Sequence, residues 1–262
     1  MQPAEAAAFW EGNAETWTRQ ARAGYDVYRD HLNTPAFLAM LPEVAGLTGL
    51  DIGCGEGSNT LRVAALGARM HAIDAAPSFI RHAAAAPVAS ALGVRFRVAD
   101  AGALPFAAAS LDFCTAFMSL MDVPHLEQVL AEVVRVLRPR GFLQFSILHP
   151  CFVPPHRRVL RDPDGTTRAI EVARYFDRID GQIDRWWFTE ADAAEREVTE
   201  PFLSPRFHRT LGDWINTLVA AGLNIERLGE PMADAAVADA VPQVADTRVA
   251  PLFLHVRVRK PG

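Results

Sequence analysis

Apolar positions recur along the chain in two rhythms. Between about residue 48 and residue 149, short apolar runs alternate with longer stretches whose apolar positions return every three to four residues. That alternation is how successive βα units of a parallel sheet read in sequence. The runs predict strands over 49–52, 69–73, 94–99, 111–117 and 142–148, and the stretches between them predict helices over 58–66, 78–92 and 125–137. Arg138-Pro139-Arg140-Gly141 reads as stop and turn after the last helix, and Asp122 and Pro124 as its N-cap and first turn.

After the fifth strand the rhythm fails. Residues 150–207 carry Pro150, Pro154, Pro155, the turn Asp162-Pro163-Asp164-Gly165 and a charged stretch around Trp186-Trp187-Phe188. An insertion of this length without periodicity predicts a lid or binding loop. The pattern resumes with a helix over 210–221 closed by Gly222, a strand over 224–228 and a last strand over 252–259. No long helical pattern separates those two strands, so the last is expected antiparallel. Residues 1–45 hold widely spaced aromatics in Ala-rich sequence, as helices of a cap would. The expected organisation is a helical cap (1–45), a Rossmann-like core (46–149), a lid insertion (150–207) and a completion of the core sheet (208–262). The fold class is α/β, a doubly wound, seven-stranded, mostly parallel sheet with its last strand antiparallel.

Composition narrows the function. Half of the 262 residues are hydrophobic and 22% are charged, a globular profile. The net charge of -5 disfavours a protein that grips phosphate backbones, so no nucleic-acid partner is expected. Three scattered cysteines, Cys54, Cys114 and Cys151, form neither a disulfide framework nor a metal motif, so no metal is expected. The start of the sequence lacks a signal-peptide pattern, and no apolar run reaches the ~18 residues of a membrane span. A cytoplasmic location without a membrane partner is expected, as a monomer or homodimer.

The chemistry concentrates at the strand ends. Gly53, Gly55 and Gly57 occupy the turn from the first strand into its helix, where absent side chains let backbone approach a ligand, with the amides at the helix start expected to face it. A dinucleotide fingerprint would need a fourth-position glycine where Ser58 stands. Asp51 and Glu56 beside the turn would repel a pyrophosphate and suit a ligand that is cationic at its reactive end. Asp74 closes the second strand, where an acid can accept ribose hydroxyl protons, and Asp100 follows the third, where one can accept from an exocyclic amine. Alone, each also reads as a turn or capping aspartate.

These residues, with Val98-Ala99-Asp100-Ala101, Leu104-Pro105-Phe106, Leu111-Asp112-Phe113 and Glu132-Val133-Val134-Arg135-Val136-Leu137-Arg138-Pro139-Arg140-Gly141, make residues 48–150 resemble the class I S-adenosylmethionine-dependent methyltransferases. The similarity is to the small-molecule branch that includes the ubiquinone and menaquinone enzymes. The resemblance implies S-adenosyl-L-methionine as cofactor and S-adenosyl-L-homocysteine as product. It implies that Asp51, Gly53 and Gly55 border the methionine moiety, that Asp74 and Ala75 hold the ribose, and that Asp100 and Ala101 face adenine. Phe117 and Met118 would wall the cofactor, and Tyr25 or Arg22 of the cap would reach its carboxylate. Arg140 departs from the family pattern, where glycine is common.

The acceptor side is less constrained, because a sulfonium methyl is already activated and a base is needed only when the nucleophile must lose a proton. His149, at the end of the fifth strand, and His208, before the late helix, are the catalytic candidates; each also reads as a histidine anchoring the lid. Trp10, Tyr28, Phe152, Tyr175, Trp186 and Trp187 supply aromatic surface able to roof a flat small-molecule substrate. The competing expectation is a protein of the same fold that binds the cofactor without transferring methyl, as a cyclase, isomerase or binding module.

Overall fold

The computed structural model describes residues 1–262. The five core strands are β1 (Thr48–Ile52), β2 (Arg69–Asp74), β3 (Arg95–Val98), β4 (Leu111–Phe117) and β5 (Leu137–Leu148), all paired in parallel. The insertion is not an irregular loop: β6 (His156–Arg161) pairs antiparallel with β7 (Thr167–Ala173), and β8 (Ile179–Trp186) with β9 (Phe202–His208). Strands β10 (Asn224–Gly229) and β11 (Phe253–Arg259) then complete the main sheet in the order β10-β11-β5-β4-β1-β2-β3, with β11 antiparallel to both neighbours.

Helices cover both faces of this sheet. They are α1 (Pro3–Arg22), α2 (Thr34–Met40), α3 (Ser58–Ala65), α4 (Pro77–Ala84), α5 (Pro87–Ala91), α6 (Leu126–Val136), α7 (Ala193–Val198), α8 (Leu211–Ala220) and α9 (Ala235–Ala240). On one face α6 buries Leu126, Val129, Leu130, Val133 and Val136, an i, i+3, i+4, i+7 stripe, beside Trp214 and Leu218 of α8. Each such side chain contributes about 1.5–3 kcal/mol by leaving water. On the other face Phe37 of α2 and Val63 of α3 pack on Met70, Phe113 and Phe142. No helix is long and apolar enough to cross a membrane.

Three local expectations are corrected. The helix expected over 78–92 breaks into α4 and α5, because Pro87 lacks an N–H and holds the preceding Ala86 at an extended ψ of 128°. Asp122 does not cap α6: it ends the 3₁₀ turn Leu120–Asp122, and His125 occupies the N-cap position. Residues 138–141 bulge out of the β4–β5 ladder, whose register moves from Leu111↔Leu137 to Phe113↔Phe142. Within that bulge Arg140 stands at φ 64°, the left-handed region that glycine occupies without strain.

The motif residues of α6 secure the loop after β3. Glu132 accepts from the Leu104 amide and is paired with Arg135, which donates to the carbonyls of Leu104 and Phe106. The cap is joined to the lid in a similar way. The Asn13 amide donates to the Leu203 carbonyl at 2.9 Å and accepts from the Leu203 N–H at 3.1 Å. Beside it, Trp17 packs against Trp186, Phe188 and Phe202 with ring centroids 4.8–5.5 Å apart.

Candidate functional site

The strand order reverses between β4 and β1 at the centre of the sheet, and an open α/β sheet forms its ligand crevice at the carboxyl ends beside such a point. The turn after β1 runs through Gly53, Gly55 and Gly57 at φ 70°, 54° and 89°. At Gly53 a Cβ would stand 2.4 Å from Ser119 Cβ, so the close crossing of the β4 loop requires glycine. At Gly55 nothing lies within 4 Å of that position.

The amides of the glycine turn itself are largely engaged within the protein. Gly53 and Cys54 donate to the Ile73 carbonyl, Gly57 to the Cys54 carbonyl, and Gly55 to Asp74 Oδ2 at 2.9 Å. The strand ends and the turn beside them present carboxyls to the cavity, Asp51, Glu56 and Asp74 among them. Asp51 accepts from the hydroxyls of Thr60 and Thr115, yet burial pushes its pKa up to about 7. Burial also raises Asp74 to about 6, against the opposing amide hydrogen bonds from Ala76 and Gly55. Asp26, in the link between α1 and the following π-turn, is raised to about 6 by burial, with Arg29 opposing. Such carboxyls are poor hosts for a second anion and good hosts for a cation, which would restore their charge.

Asp26, Asp51 and Asp74 line one cavity of about 780 Å³, within the ~300–1,000 Å³ range of small-ligand sites. Of the residues expected near a cofactor, Asp51, Gly53, Gly55, Asp74, Ala75, Asp100, Ala101, Phe117, Met118 and Tyr25 face it. Asp100 sits on the exposed rim with Oδ1 accepting from the Gly102 amide. Met118 is held at φ 54° by its N–H donating to the Ser146 carbonyl, a strained wall residue of the kind found at functional sites. Arg22 does not line the cavity: it donates to the His82 carbonyl and reaches Glu56 Oε2 from behind the lining, at 3.7 Å. Arg29 takes the place inside, its Nη1 3.2 Å from Glu56 Oε1 and its Nη2 donating to the Ala21 carbonyl. Nothing in the sequence separates these two cap arginines.

The residues expected near a methyl acceptor are similarly divided. Trp10, Tyr28, Trp186, Trp187 and His208 face the cavity, joined by Trp17, Phe207 and Trp214. His208 Nε2 lies 2.7 Å from the Tyr175 carbonyl, which can only accept, so the Nε2–H tautomer is fixed and Nδ1 keeps its lone pair. Tyr175 itself is outside the lining; its hydroxyl accepts from the Leu211 amide. Phe152 is also outside, edge-on against His149. His149 is buried behind the wall with both ring nitrogens engaged, Nε2 2.9 Å from Glu230 and Nδ1 accepting from the Cys151 amide. It has no nitrogen free for a substrate, which corrects its expected catalytic role.

Comparisons with known proteins bear on the family and the fold. Residues 50–145 match the family described as methyltransferase domain. The crystal structure of an S-adenosylmethionine-dependent methyltransferase from Mesorhizobium loti superposes with a TM-score of 0.68 at 28% identity, covering 86% of this chain and 96% of that one. The ubiquinone biosynthesis O-methyltransferase of Xanthomonas oryzae is 30% identical over 138 residues, 52% of this chain and 53% of the relative. The arsenite methyltransferase of Halobacterium salinarum is 29% identical over 189 residues, 70% of this chain and 47% of the relative. The chain thus spans about half the length of these curated relatives.

Proposed function

Residues 50–145 form a class I S-adenosylmethionine-dependent methyltransferase domain, and from that premise we propose that the chain methylates an oxygen, nitrogen or carbon atom of a small aromatic or heterocyclic metabolite. The observation that carries this reading is one continuous cavity joining the acids at the ends of β1, β2 and β3 to a wall of Trp10, Trp17, Trp186, Phe207 and Trp214.

The donor set fits the cofactor. Asp74 is suited to the ribose hydroxyls, Asp100 and the Ala101 amide to adenine, and the Asp26–Asp51 end to the cationic methionine portion. When bound, the cofactor supplies a methyl group already activated on sulfur. The chain's task is then to position the acceptor and exclude water, which the aromatic roof and the cap–lid joint accomplish. Where the acceptor must lose a proton, His208 Nδ1 is the cavity-facing base that takes it.

The test is a transfer assay with methyl-labelled S-adenosylmethionine against phenols, aromatic amines and nitrogen heterocycles. Acceptor-dependent S-adenosylhomocysteine and a product heavier by one methyl group are expected. Tight cofactor binding with no methylated product from any class would replace this reading by a non-transferring one.

A further inference from the structure

The cavity wall opposite the acidic rim holds a carboxyl that neither the cofactor-holding residues nor the His208 base uses. Asp122 ends the 3₁₀ turn after β4 and faces the cavity. Thr60, Thr115 and backbone amides satisfy the other core acids, whereas no protein group donates to the Asp122 carboxyl, whose surroundings act on it only through desolvation and the charges of Arg209 and Asp184. Neither charge is a ready partner. Asp184 is paired with Arg206 at 3.3 Å, and Arg206 is further tied to the carbonyls of Val153 and Pro154. Arg209 Nη2 donates to the carbonyls of Val123 and Pro124, its guanidinium lies 5.6 Å from the Trp214 ring and 5.7 Å from Phe207, and its Nη1 is buried without a partner.

Asp122 is half-buried and faces the cavity without a protein donor, so a ligand that displaces water there has to supply one. Phe207 and Trp214, the rings beside the Arg209 guanidinium, add flat aromatic planes to the same cavity. We propose, building on the methyltransferase reading, that Asp122 determines acceptor specificity by accepting a hydrogen bond from a ring or exocyclic N–H, so that the acceptor is an N–H-bearing aromatic or heteroaromatic molecule. Burial raises the Asp122 pKa well above the usual range, and a neutral carboxyl still offers its carbonyl oxygen to that N–H. An isosteric ring without the N–H leaves the carboxyl unpaired, the situation in which polar sites discriminate most strongly.

Indole and its carbocyclic isostere indene test this, measured by ligand-observed NMR on the full chain with and without S-adenosylhomocysteine. Wild type is expected to bind indole about tenfold tighter than indene, Asp122→Ala to reduce that ratio to about twofold, and Asp122→Asn, which keeps a carbonyl acceptor, to retain most of it. Unchanged S-adenosylhomocysteine affinity in both variants verifies that the cofactor end is intact. Equal affinities in wild type, no detectable indole binding, or a preference that survives Asp122→Ala would overturn the assignment. Failure of S-adenosylhomocysteine to bind wild type would instead strike the methyltransferase reading, independently of the indole-to-indene ratio.

Discussion

Asp26, Asp51 and Asp74 share a condition that sets their behaviour: burial holds them at pKa values of about 6, 7 and 6, so near neutrality they are in part protonated. A cation placed among them favours the charged form and pulls these values back down. Binding of S-adenosylhomocysteine, with its ammonium group, is therefore expected to release protons at pH 6.5, visible as a dependence of calorimetric heat on buffer ionisation enthalpy; no dependence, or proton uptake, would contradict it. His208 yields a second residue-level expectation. His208→Ala should lower turnover by about 10²–10⁴-fold on an acceptor that must lose a proton while leaving S-adenosylhomocysteine affinity unchanged, and full activity would remove it as the base. The acids at 51, 74 and 100 were legible in the sequence because strand ends locate themselves by pattern. Arg29 and Asp122 were not, because facing a cavity depends on where a cap and a short turn fold back.

At the scale of elements, the central strands β1, β4 and β5 were readable because their apolar runs are buried on both sides, whereas the lid hairpins were not. β6 reads His156-Arg157-Arg158-Val159-Leu160-Arg161 without alternation, and Pro205 interrupts the apolar pattern of β9. Pro87 did announce the break between α4 and α5, although the periodicity on either side runs through it. The bulge in β5 gives a stability prediction. Arg140 occupies a left-handed conformation that costs a non-glycine residue roughly 1 kcal/mol. Arg140→Gly removes that strain but loosens the unfolded chain, so a gain below about 1 kcal/mol in urea denaturation is expected. A loss of stability would show that the Arg140 side chain contributes more than its backbone strain costs.

At the scale of the molecule, the cavity is closed by the joint between the amino-terminal cap and the inserted hairpins, not by the sheet alone. Asn13 satisfies both backbone groups of Leu203 across that joint. Asn13→Ala leaves them unpaired, a loss of about 1–3 kcal/mol. Hydrogen exchange should accelerate over Phe202–His208 and leave β5 unchanged; equal acceleration of both would mean that cap, lid and core unfold as one unit. The two-sided sheet and its acid-bearing rim were implied by residues 48–150 and the antiparallel last strand by residues 224–259, but the aromatic side of the cavity forms only when the amino-terminal cap and the insertion meet over them. The central claim is that this rim holds S-adenosylmethionine through its acids, and a calorimetric titration of S-adenosylhomocysteine into wild type and Asp74→Ala tests it most directly. Saturable one-to-one binding that Asp74→Ala weakens at least tenfold is predicted; no binding by wild type, or equal affinity in the two proteins, would contradict it.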